Sequence, residues 1–588
     1  MRRRFGRADW RGAALALAGC AWLASCGPGD ALRERAEAGD AQAQLEFSRR
    51  IAAADDPEDA TRAEALHWLE AAAEQDLIEA QVELARLLES PPGADPERAL
   101  QLLREAGEQG AAEVQLELGR RYETGQGAPR DYREGLRWYT LAAEQGGVAA
   151  QLALGHAHAR AATARHRNYG RAAEWYRKAG EQGDPEAQTE LGLFYTSHGR
   201  GVLRDIGEAK RWLRLAAEQG HAPAQNYLGV LYASALDGEP DSEEAMRWFL
   251  AAAEQGHVET QLNLHAIYAK GIGIEVDLEE ALRWHRRAAE DGSLVAQREL
   301  ARQYAEGDGV PRDDAEAARF LVLAAEQGDA SSQLALARAF ADGRGVERDV
   351  RIAADWCEKA AEQGLADAQF MLGEIYARGE GRPRRPVSAR RFYRRAADQG
   401  HAGAKRELGS TLYRAAKTTQ QAREALDLVR SAAEAGDAAA QNILGARYLD
   451  GGPGISRDYA RAREWLTKAV DQGNARAHMN LGLVHRQGHG VPTDHKKGAR
   501  LLRIAADRGV AQAQYVLGLD SAAGVGLPRS TVQSLMWLRL AAESGHELAR
   551  QSLAETEASA TPEQIALARS RVEAWKQKHE DREGKPPS

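Results

Sequence analysis

One short sequence pattern recurs along almost the whole chain. Glycines that close a run reading Ala-Ala-Glu-Gln-Gly, or a near variant, stand at Gly110, Gly146, Gly183, Gly220, Gly256, Gly292, Gly328, Gly364, Gly400, Gly436, Gly473, Gly509 and Gly545, always 36 or 37 residues apart. A chain of 588 residues is too long for one ordinary hydrophobic core. A fixed period of this length is typical of stacked units that bury their apolar faces only against neighbours. We therefore expect a linear array of similar units.

Large apolar residues form a second register with the same period. They are Trp138, Trp175, Trp212, Trp248, Trp284, Phe320, Trp356, Phe392, Leu428, Trp465, Leu501 and Trp537. In the unit 224–256, Leu228 and Leu231 lie at helical spacing on one segment, and Trp248 and Phe249 do so on the next. Gly229 lets the paired helix approach closely. Each unit is thus predicted to be an antiparallel helical hairpin, and the fold class to be all-α.

Most units join their two segments through Gly-x-Gly followed by Asp, as in Gly307-Asp308-Gly309 to Asp313. A phosphate-binding loop would continue as Gly-x-Gly-x-x-Gly or end in Gly-Lys-Ser/Thr, and these do not. We interpret the glycines as a turn and the aspartate as a helix N-cap. The turns near 85–100, 157–171, 234–242 and 413–423 lack the full pattern and should differ in shape.

The combination A-x-x-x-L-G-x-x-Y, G-x-G-V-x-x-D and A-x-x-W-x-x-x-A-A-E-Q-G resembles the Sel-one-like repeat family, a branch of the tetratricopeptide superfamily. The resemblance covers 34–553, with weaker units at 36–76 and 77–110, and gives about fourteen two-helix repeats of period 36–37. It implies a right-handed α/α superhelical solenoid that holds protein partners. Residues 554–588 are predicted to form a capping helix, which begins with a capping box at Thr561 and Gln564, and a polar tail that is disordered from Glu580.

The first residues have the features of an export signal. Five arginines between Arg2 and Arg11 precede the apolar run 12–25, which is too short to span a bilayer. The run ends Leu23-Ala24-Ser25-Cys26, which resembles the lipobox of bacterial lipoproteins. We predict a signal peptide at 1–25, lipidation of Cys26 and a short linker at 26–33. Cys20 is the alternative lipidation site. A second alternative is an ordinary secretory signal without lipidation at either cysteine. Gly27 after the cysteine resembles an outer-membrane address.

Charge and cysteine content exclude several classes of function. Lysine and arginine number 78 against 87 acidic residues, so no overall basic field recruits nucleic acid. Cys357 is the only cysteine after Cys26, which excludes an internal disulfide in the repeats. Beside Trp356 in a helical pattern, it is interpreted as a small buried residue.

Catalytic and metal motifs are missing from the sequence. It has no Gly-x-Ser-x-Gly, His-Glu-x-x-His or Cys-x-x-Cys. The best metal candidate is the group His485, His489 and His495, but His489 lies inside a Gly-x-Gly turn. We therefore predict no enzyme activity, no cofactor and no metal site.

Positions two before and two after the recurring leucine of each first helix point away from the packed side. The resemblance implies that they line a partner-binding groove. The predicted groove residues are Arg298, Arg302, Arg338, Phe370, Arg406, Met479 and Tyr515, and the same positions also hold Leu334, Glu374, Leu483 and Leu519. They predict an acidic segment with an apolar end as the partner. A run of arginines, Arg382, Arg384, Arg385, Arg390, Arg391, Arg394 and Arg395, is the next candidate, for an acidic protein or an anionic polymer such as a polysaccharide.

The sequence therefore predicts a non-catalytic, periplasm-facing outer-membrane lipoprotein that organises an envelope assembly such as exopolysaccharide export or secretion. A soluble periplasmic location is the alternative to the lipid anchor. There are two alternative functions. One is a periplasmic regulator of a membrane sensor, and the other is an envelope enzyme acting on peptidoglycan or polysaccharide. The particular example rests on fold analogy and not on the residues.

Overall fold

A computed structural model of the chain describes residues 28–53, 59–89, 94–161, 167–197, 202–234, 236 and 238–583. Within these ranges the structure is helical and contains no β-strand, and Gly452 and Ile455 form an isolated β-bridge. The helices are α1 (Pro28–Glu37), α2 (Ala41–Ala52), α3 (Asp59–Ala73), α4 (Ile78–Leu88), α5 (Pro96–Glu108), α6 (Ala112–Thr124), α7 (Tyr132–Glu144), α8 (Val148–Arg160), α9 (Tyr169–Glu181), α10 (Pro185–Thr196), α11 (Ile206–Glu218), α12 (Ala222–Ala233), α13 (Ser242–Glu254), α14 (Val258–Lys270), α15 (Leu278–Glu290), α16 (Leu294–Glu306), α17 (Asp314–Glu326), α18 (Ala330–Asp342), α19 (Val350–Glu362), α20 (Ala366–Arg378), α21 (Pro386–Asp398), α22 (Ala402–Ala415), α23 (Thr419–Glu434), α24 (Ala438–Asp450), α25 (Tyr459–Asp471), α26 (Ala475–Gln487), α27 (His495–Asp507), α28 (Ala511–Ala523), α29 (Thr531–Glu543), α30 (Glu547–Ser559) and α31 (Pro562–Glu583).

Helices α2 to α29 form fourteen consecutive hairpins, which confirms the predicted all-α class and repeat number. In the hairpin of α12 and α13, Leu228, Trp248 and Phe249 are buried. A side chain at Gly229 would come within 2.8 Å of the Phe249 ring, so the close approach predicted for this glycine is confirmed. Most of the Trp register is buried as predicted, and Trp175, Trp356, Leu428, Trp465 and Leu501 are partly buried.

The Gly-x-Gly segments are turns followed by caps, as predicted. Gly343 ends α18 in the left-handed conformation, and the Asp349 side chain accepts hydrogen bonds from the Arg351 and Ile352 amides at the start of α19. The second glycine of the turn, Gly345, has φ +69°, and a Cβ there would lie 1.7 Å from the Asp314 carbonyl oxygen at the start of the preceding second helix. Both its conformation and the close packing between repeats therefore require glycine.

The chain divides into two compact units, 1–291 and 292–588. In each unit the core is a chain of small clusters, because every hairpin packs mainly on its sequence neighbours. Alanines supply much of this core, which allows the helices to lie close together.

The chain departs from the prediction at both ends of the described range. Helix α1 begins at Pro28 and so occupies most of the stretch 26–33 that was predicted to be a linker. The signal segment, Cys20 and Cys26 lie outside the described residues. Helix α31 extends to Glu583 and passes Glu580, where the sequence predicted a disordered tail.

The predicted capping helix is α31. The Thr561 hydroxyl accepts from the Gln564 amide, and the Gln564 side chain accepts from the Thr561 amide, which is the expected capping box. Ala568 and Val572 are buried, and Val572 and Trp575 join the core around α27, α28 and α29. This helix therefore covers the apolar end of the last hairpins.

Candidate protein-binding surfaces

A ladder of glutamines links the repeats and explains the Gln of the recurring Ala-Ala-Glu-Gln-Gly run. In one rung, buried Gln115 of α6 donates to the Gly107 carbonyl in the preceding hairpin at 2.7 Å. Gln145, at the end of α7, donates to the Gln115 side-chain oxygen at 2.8 Å and to the Gly110 carbonyl at 3.0 Å. The motif is therefore a structural joint between hairpins.

The same side-chain pair recurs at 2.7 to 2.9 Å in both units. The pairs are Gln75–Gln44, Gln109–Gln81, Gln182–Gln151, Gln219–Gln188 and Gln255–Gln225 in the first unit, and Gln327–Gln297, Gln363–Gln333, Gln399–Gln369 and Gln472–Gln441 in the second. The sequence interpretation missed this ladder, although a glutamine three residues before most of the recurring leucines was its signal.

The predicted groove arginines are all engaged by nearby carboxylates. Arg302 pairs with Glu299, Glu306 and Asp308 at 2.8, 2.5 and 2.8 Å. Arg338 lies 3.5 Å from Asp367. These pairs leave the basic stretch largely neutralised, in contrast to the free basic groove that the sequence predicted.

Two of the arginines reach the N-cap of the next repeat. Arg298 lies 3.8 Å from Asp329 and Arg406 lies 2.6 Å from Asp437, and each aspartate is the N-cap of the next first helix. Burial alone would lower the pKa of Arg406, but the hydrogen bond and the charge of Asp437 outweigh this effect, so the pKa is raised. These residues therefore have a packing role.

Phe370, Met479 and Tyr515, which the sequence predicted to be exposed groove residues, are partly buried. Phe370 stacks on His401 with ring centroids 4.5 Å apart, and Tyr515 stacks on His546 at 4.6 Å. Both histidines are N-caps of the next first helix. In both cases the residue two before the recurring leucine packs on the following cap, and this contact buries part of its surface.

Met479 and Leu334 also pack in or against the hydrophobic core. Met479 lies against the core formed by α27, α28 and α29, and Leu334 is fully inside the core around α19 and α20. The predicted groove is therefore not one continuous exposed surface, and its members divide between separate clusters.

Arg338 and Phe370 do come together, in a cavity of about 420 Å³ on the second unit. Asp367, Glu374, Arg378 and His401 also line it. Arg378 donates to Glu374 at 2.9 Å, and His401 lies 3.6 Å from Asp367. Burial raises the pKa of Glu374. We call this the Phe370 cleft; it presents an aromatic face, the guanidinium groups of Arg338, Arg348 and Arg378, and carboxylates to a ligand.

The other sequence candidates have structural roles. Cys357 is buried, its thiol donates to the Ala368 carbonyl at 3.3 Å, and burial raises its pKa to about 12, as expected of a packed thiol. His489 stacks on Tyr459, and burial lowers the pKa of His485.

Within the described ranges no three His, Cys, Asp or Glu side chains are grouped so as to hold a metal ion. In the same ranges, no helix is both long enough and apolar enough to cross a bilayer.

The stacked helical hairpins define an α/α repeat protein, and its recurring polar residues connect neighbouring hairpins. The chain belongs to the Sel1 repeat family, whose model matches at residues 57–77, 78–110, 112–147, 148–184, 185–221, 222–257, 262–293, 294–329, 330–365, 366–401, 403–437, 438–474, 475–510 and 511–546. Proteins with this repeat are typically non-catalytic scaffolds, and the repeat indicates protein–protein interaction.

Solved structures share the repeat. A protective antigen present in uropathogenic Escherichia coli strains, which displays the same repeat fold, is 31% identical with a TM-score of 0.54, over 83% of this chain and 98% of that one. A Sel1 repeat protein from Oxalobacter formigenes is 32% identical with a TM-score of 0.41, over 60% of this chain and 91% of that one. No curated protein matches the chain.

Proposed function

We propose that this chain is a non-catalytic protein-interaction scaffold of the bacterial cell envelope. In this proposal it is an exported lipoprotein, anchored in the outer membrane through Cys26 and facing the periplasm. It organises a multiprotein assembly, of which exopolysaccharide export and secretion are examples. The observation that carries the binding function is the Phe370 cleft, because it brings the exposed Arg338 and the partly exposed Phe370 together in one cavity.

The lining of the Phe370 cleft indicates how a protein segment would bind. An apolar side chain of the partner packs on the exposed part of Phe370 and His401, which are already stacked and lose little freedom on binding. Acidic groups of the partner replace Asp367 or Glu374 as partners of Arg338 and Arg378. The cleft therefore fits a segment that combines acidic and apolar residues.

A quantitative pull-down from solubilised envelopes tests the binding role. Phe370→Ala combined with Arg338→Gln should lower capture of the wild-type partners by about tenfold, because central aromatic and arginine contacts dominate interfaces. Leu152→Ala is the matched control, since Leu152 holds the same repeat position in α8 and is also partly buried. Equal capture by all three proteins would place the binding surface elsewhere.

The anchor is tested separately by Cys26→Ala in cells fed labelled palmitate. The wild type should incorporate label and sediment with membranes, and the variant should do neither, because stable anchoring needs two or more acyl chains. Absence of label in the wild type would contradict the lipoprotein part of the proposal. The binding role would then still be tested by the pull-down.

A further inference from the structure

Helix α21 and its N-cap carry five arginines that have no carboxylate partner. Ion pairs within 4.0 Å involve about half of the other arginines of the repeats, but in the described part of the chain they involve none of Arg385, Arg390, Arg391, Arg394 and Arg395. All but Arg390 are exposed. Arg391 and Arg395 lie over the Phe392 ring, at 5.0 and 5.7 Å from its centroid. We call these five residues the α21 arginines.

Comparison with α15, three repeats earlier, shows why these charges are unpaired. Both helices place arginines immediately before the large aromatic and two and three residues after it: Arg283, Arg286 and Arg287 in α15, and Arg391, Arg394 and Arg395 in α21. In α15, Arg283 pairs with Glu280 at 2.9 Å. The equivalent position in α21 is Ser388. The paired carboxylate of the repeat has therefore been lost while the arginine remains.

The same exchange has occurred at the start of the helix. Asp277 caps α15 by accepting from the Glu279 and Glu280 amides, whereas α21 has Arg385 at its N-cap, without a side-chain cap, and no acidic residue in its first turn. An arginine at this position weakens the helix start, because both the missing cap and the helix dipole disfavour it. A local loss of stability of this kind is expected where a surface serves binding.

A cleft with a mixed apolar and charged lining adjoins the α21 arginines. Its volume is about 580 Å³; the apolar part of its lining is Leu408, Leu412, Ala425 and Leu428, and the charged part is Arg390, Arg394, Asp398 and Glu424. Leu428 holds the register that Trp or Phe occupies in most other repeats, and its smaller side chain leaves this space open. Exposed Val387 extends the apolar surface along α21.

We propose that the α21 arginines and the Leu428 cleft form a second docking site, for an acidic protein segment that bears a large apolar side chain. The apolar side chain fills the space that an aromatic residue fills in other repeats, and flanking carboxylates pair with Arg391, Arg394 and Arg395. Charge complementarity selects the partner, since four of the five guanidinium groups are exposed and none forms an ion pair with a described carboxylate. Leucine and alanine side chains in the adjoining cleft favour a peptide over a uniformly charged polymer. The site is distinct from the Phe370 cleft and does not depend on export or lipidation.

Fluorescence anisotropy on the purified full chain tests this site. The probe is a fluorescein-labelled peptide in which glutamates flank a pair of leucines; a comparison peptide has serines instead of the leucines. The wild type should bind the first peptide more tightly than the second, and binding should weaken at high salt. Arg391→Gln, Arg394→Gln and Arg395→Gln together should lower affinity by about tenfold, whereas the matched triple Arg283→Gln, Arg286→Gln and Arg287→Gln should leave it unchanged.

Two single variants separate the charge from the cleft. Ser388→Glu rebuilds the pair seen in α15 and should weaken both peptides while helicity is retained. Leu428→Trp restores the repeat consensus, fills the cleft, and should weaken only the leucine peptide. No binding by the wild type, or equal binding by all variants, would overturn the proposal. Tighter binding of alginate or of phosphatidylglycerol vesicles, lost in the same arginine triple, would overturn it in favour of an anionic polymer or a membrane.

Discussion

Arg486 of α26 pairs with Asp520 of α28 through its Nε–H, which is shared between Oδ1 and Oδ2 at 3.0 Å each, and through Nη2, which donates to Oδ1 at 2.7 Å. The two residues lie in consecutive repeats. The Asp520 side chain is 2% exposed and that of Arg486 is 29% exposed. Because only the arginine reaches water, the two partners should differ in what their loss does to stability.

Arg486→Ala should destabilise the protein more than Asp520→Ala. Removal of the arginine leaves a buried carboxylate without its counter-charge, which costs about 3 to 5 kcal/mol. Removal of the aspartate leaves a partly solvated guanidinium and should cost about 2 kcal/mol. Urea unfolding of both single variants and the double variant measures the difference, and the double variant should be less destabilised than Arg486→Ala alone. The reverse order of the two single variants would contradict this prediction.

Trp248→Ala should destabilise its part of the array by about 3 to 5 kcal/mol. Trp248 packs on Leu213 of α11 and on Leu228 and Leu231 of α12. Since repeats couple mainly to neighbours, unfolding should then show a partly folded intermediate.

Trp248→Phe is the control for this prediction. Within the described residues the Trp248 indole N–H has no acceptor, and the same register holds Phe320 and Phe392 elsewhere. Loss of the indole therefore removes no hydrogen bond, and the cost should stay below about 1.5 kcal/mol. An unchanged melting profile for Trp248→Ala would show that the residue does not connect the hairpins.

The glutamine ladder is interrupted in the repeat of α22 and α23, where Lys405 and Ala435 stand at the two glutamine positions and Lys405 donates to Ser431 at 3.0 Å. Lys405→Gln with Ala435→Gln should rebuild the rung and raise the free energy of unfolding by about 1 kcal/mol. Hydrogen exchange should slow in both helices. Each single variant lacks its partner and should gain less, so additive gains would argue against a rebuilt rung.

Stability should fall as the pH drops below neutrality. His158 and His485 are buried where other repeats have Tyr122, Tyr376 or Tyr448. Burial, aided by the charges of Arg171 and Lys497 respectively, lowers the pKa of each imidazole. The unfolded chain then takes up these protons first, so the free energy of unfolding decreases as the pH falls through about 6.5, the ordinary histidine pKa.

The double variant His158→Tyr and His485→Tyr should remove part of this decrease between pH 7 and pH 5. Thermal unfolding at several pH values measures it. His495→Gln is the control, because His495 is exposed. An identical pH profile for the double variant and the wild type would mean that other groups cause the acid sensitivity.

The hairpins and their caps could be predicted because they depend on local patterns. Gly343 and Asp349 each act within one turn, Trp248 follows a helical apolar spacing, and a period of 36 or 37 residues repeats these signals many times. The contacts of the binding surface could not be predicted in the same way. Whether Phe370 faces water depends on His401 in the next repeat, and whether Arg406 is free depends on Asp437, more than thirty residues later.

The location of the α21 arginines was visible in the sequence, but their lack of partners was not. Helix periodicity alone places Ser388 one turn before Arg391, yet only comparison with Glu280 and Arg283 in three dimensions shows that a counter-charge has been lost. The Leu428 cleft likewise appears only when α21, α22 and α23 are packed together.

Because each rung of the glutamine ladder uses atoms of two adjacent hairpins only, removal of one whole repeat such as 222–257 would bring Gln261 against the same carbonyl environment that Gln225 now meets. The new junction would be chemically the same as the old one. The length of this protein can therefore change in whole steps of one hairpin. The number of hairpins between two docking sites then sets the spacing of the sites, without any change in the sites themselves.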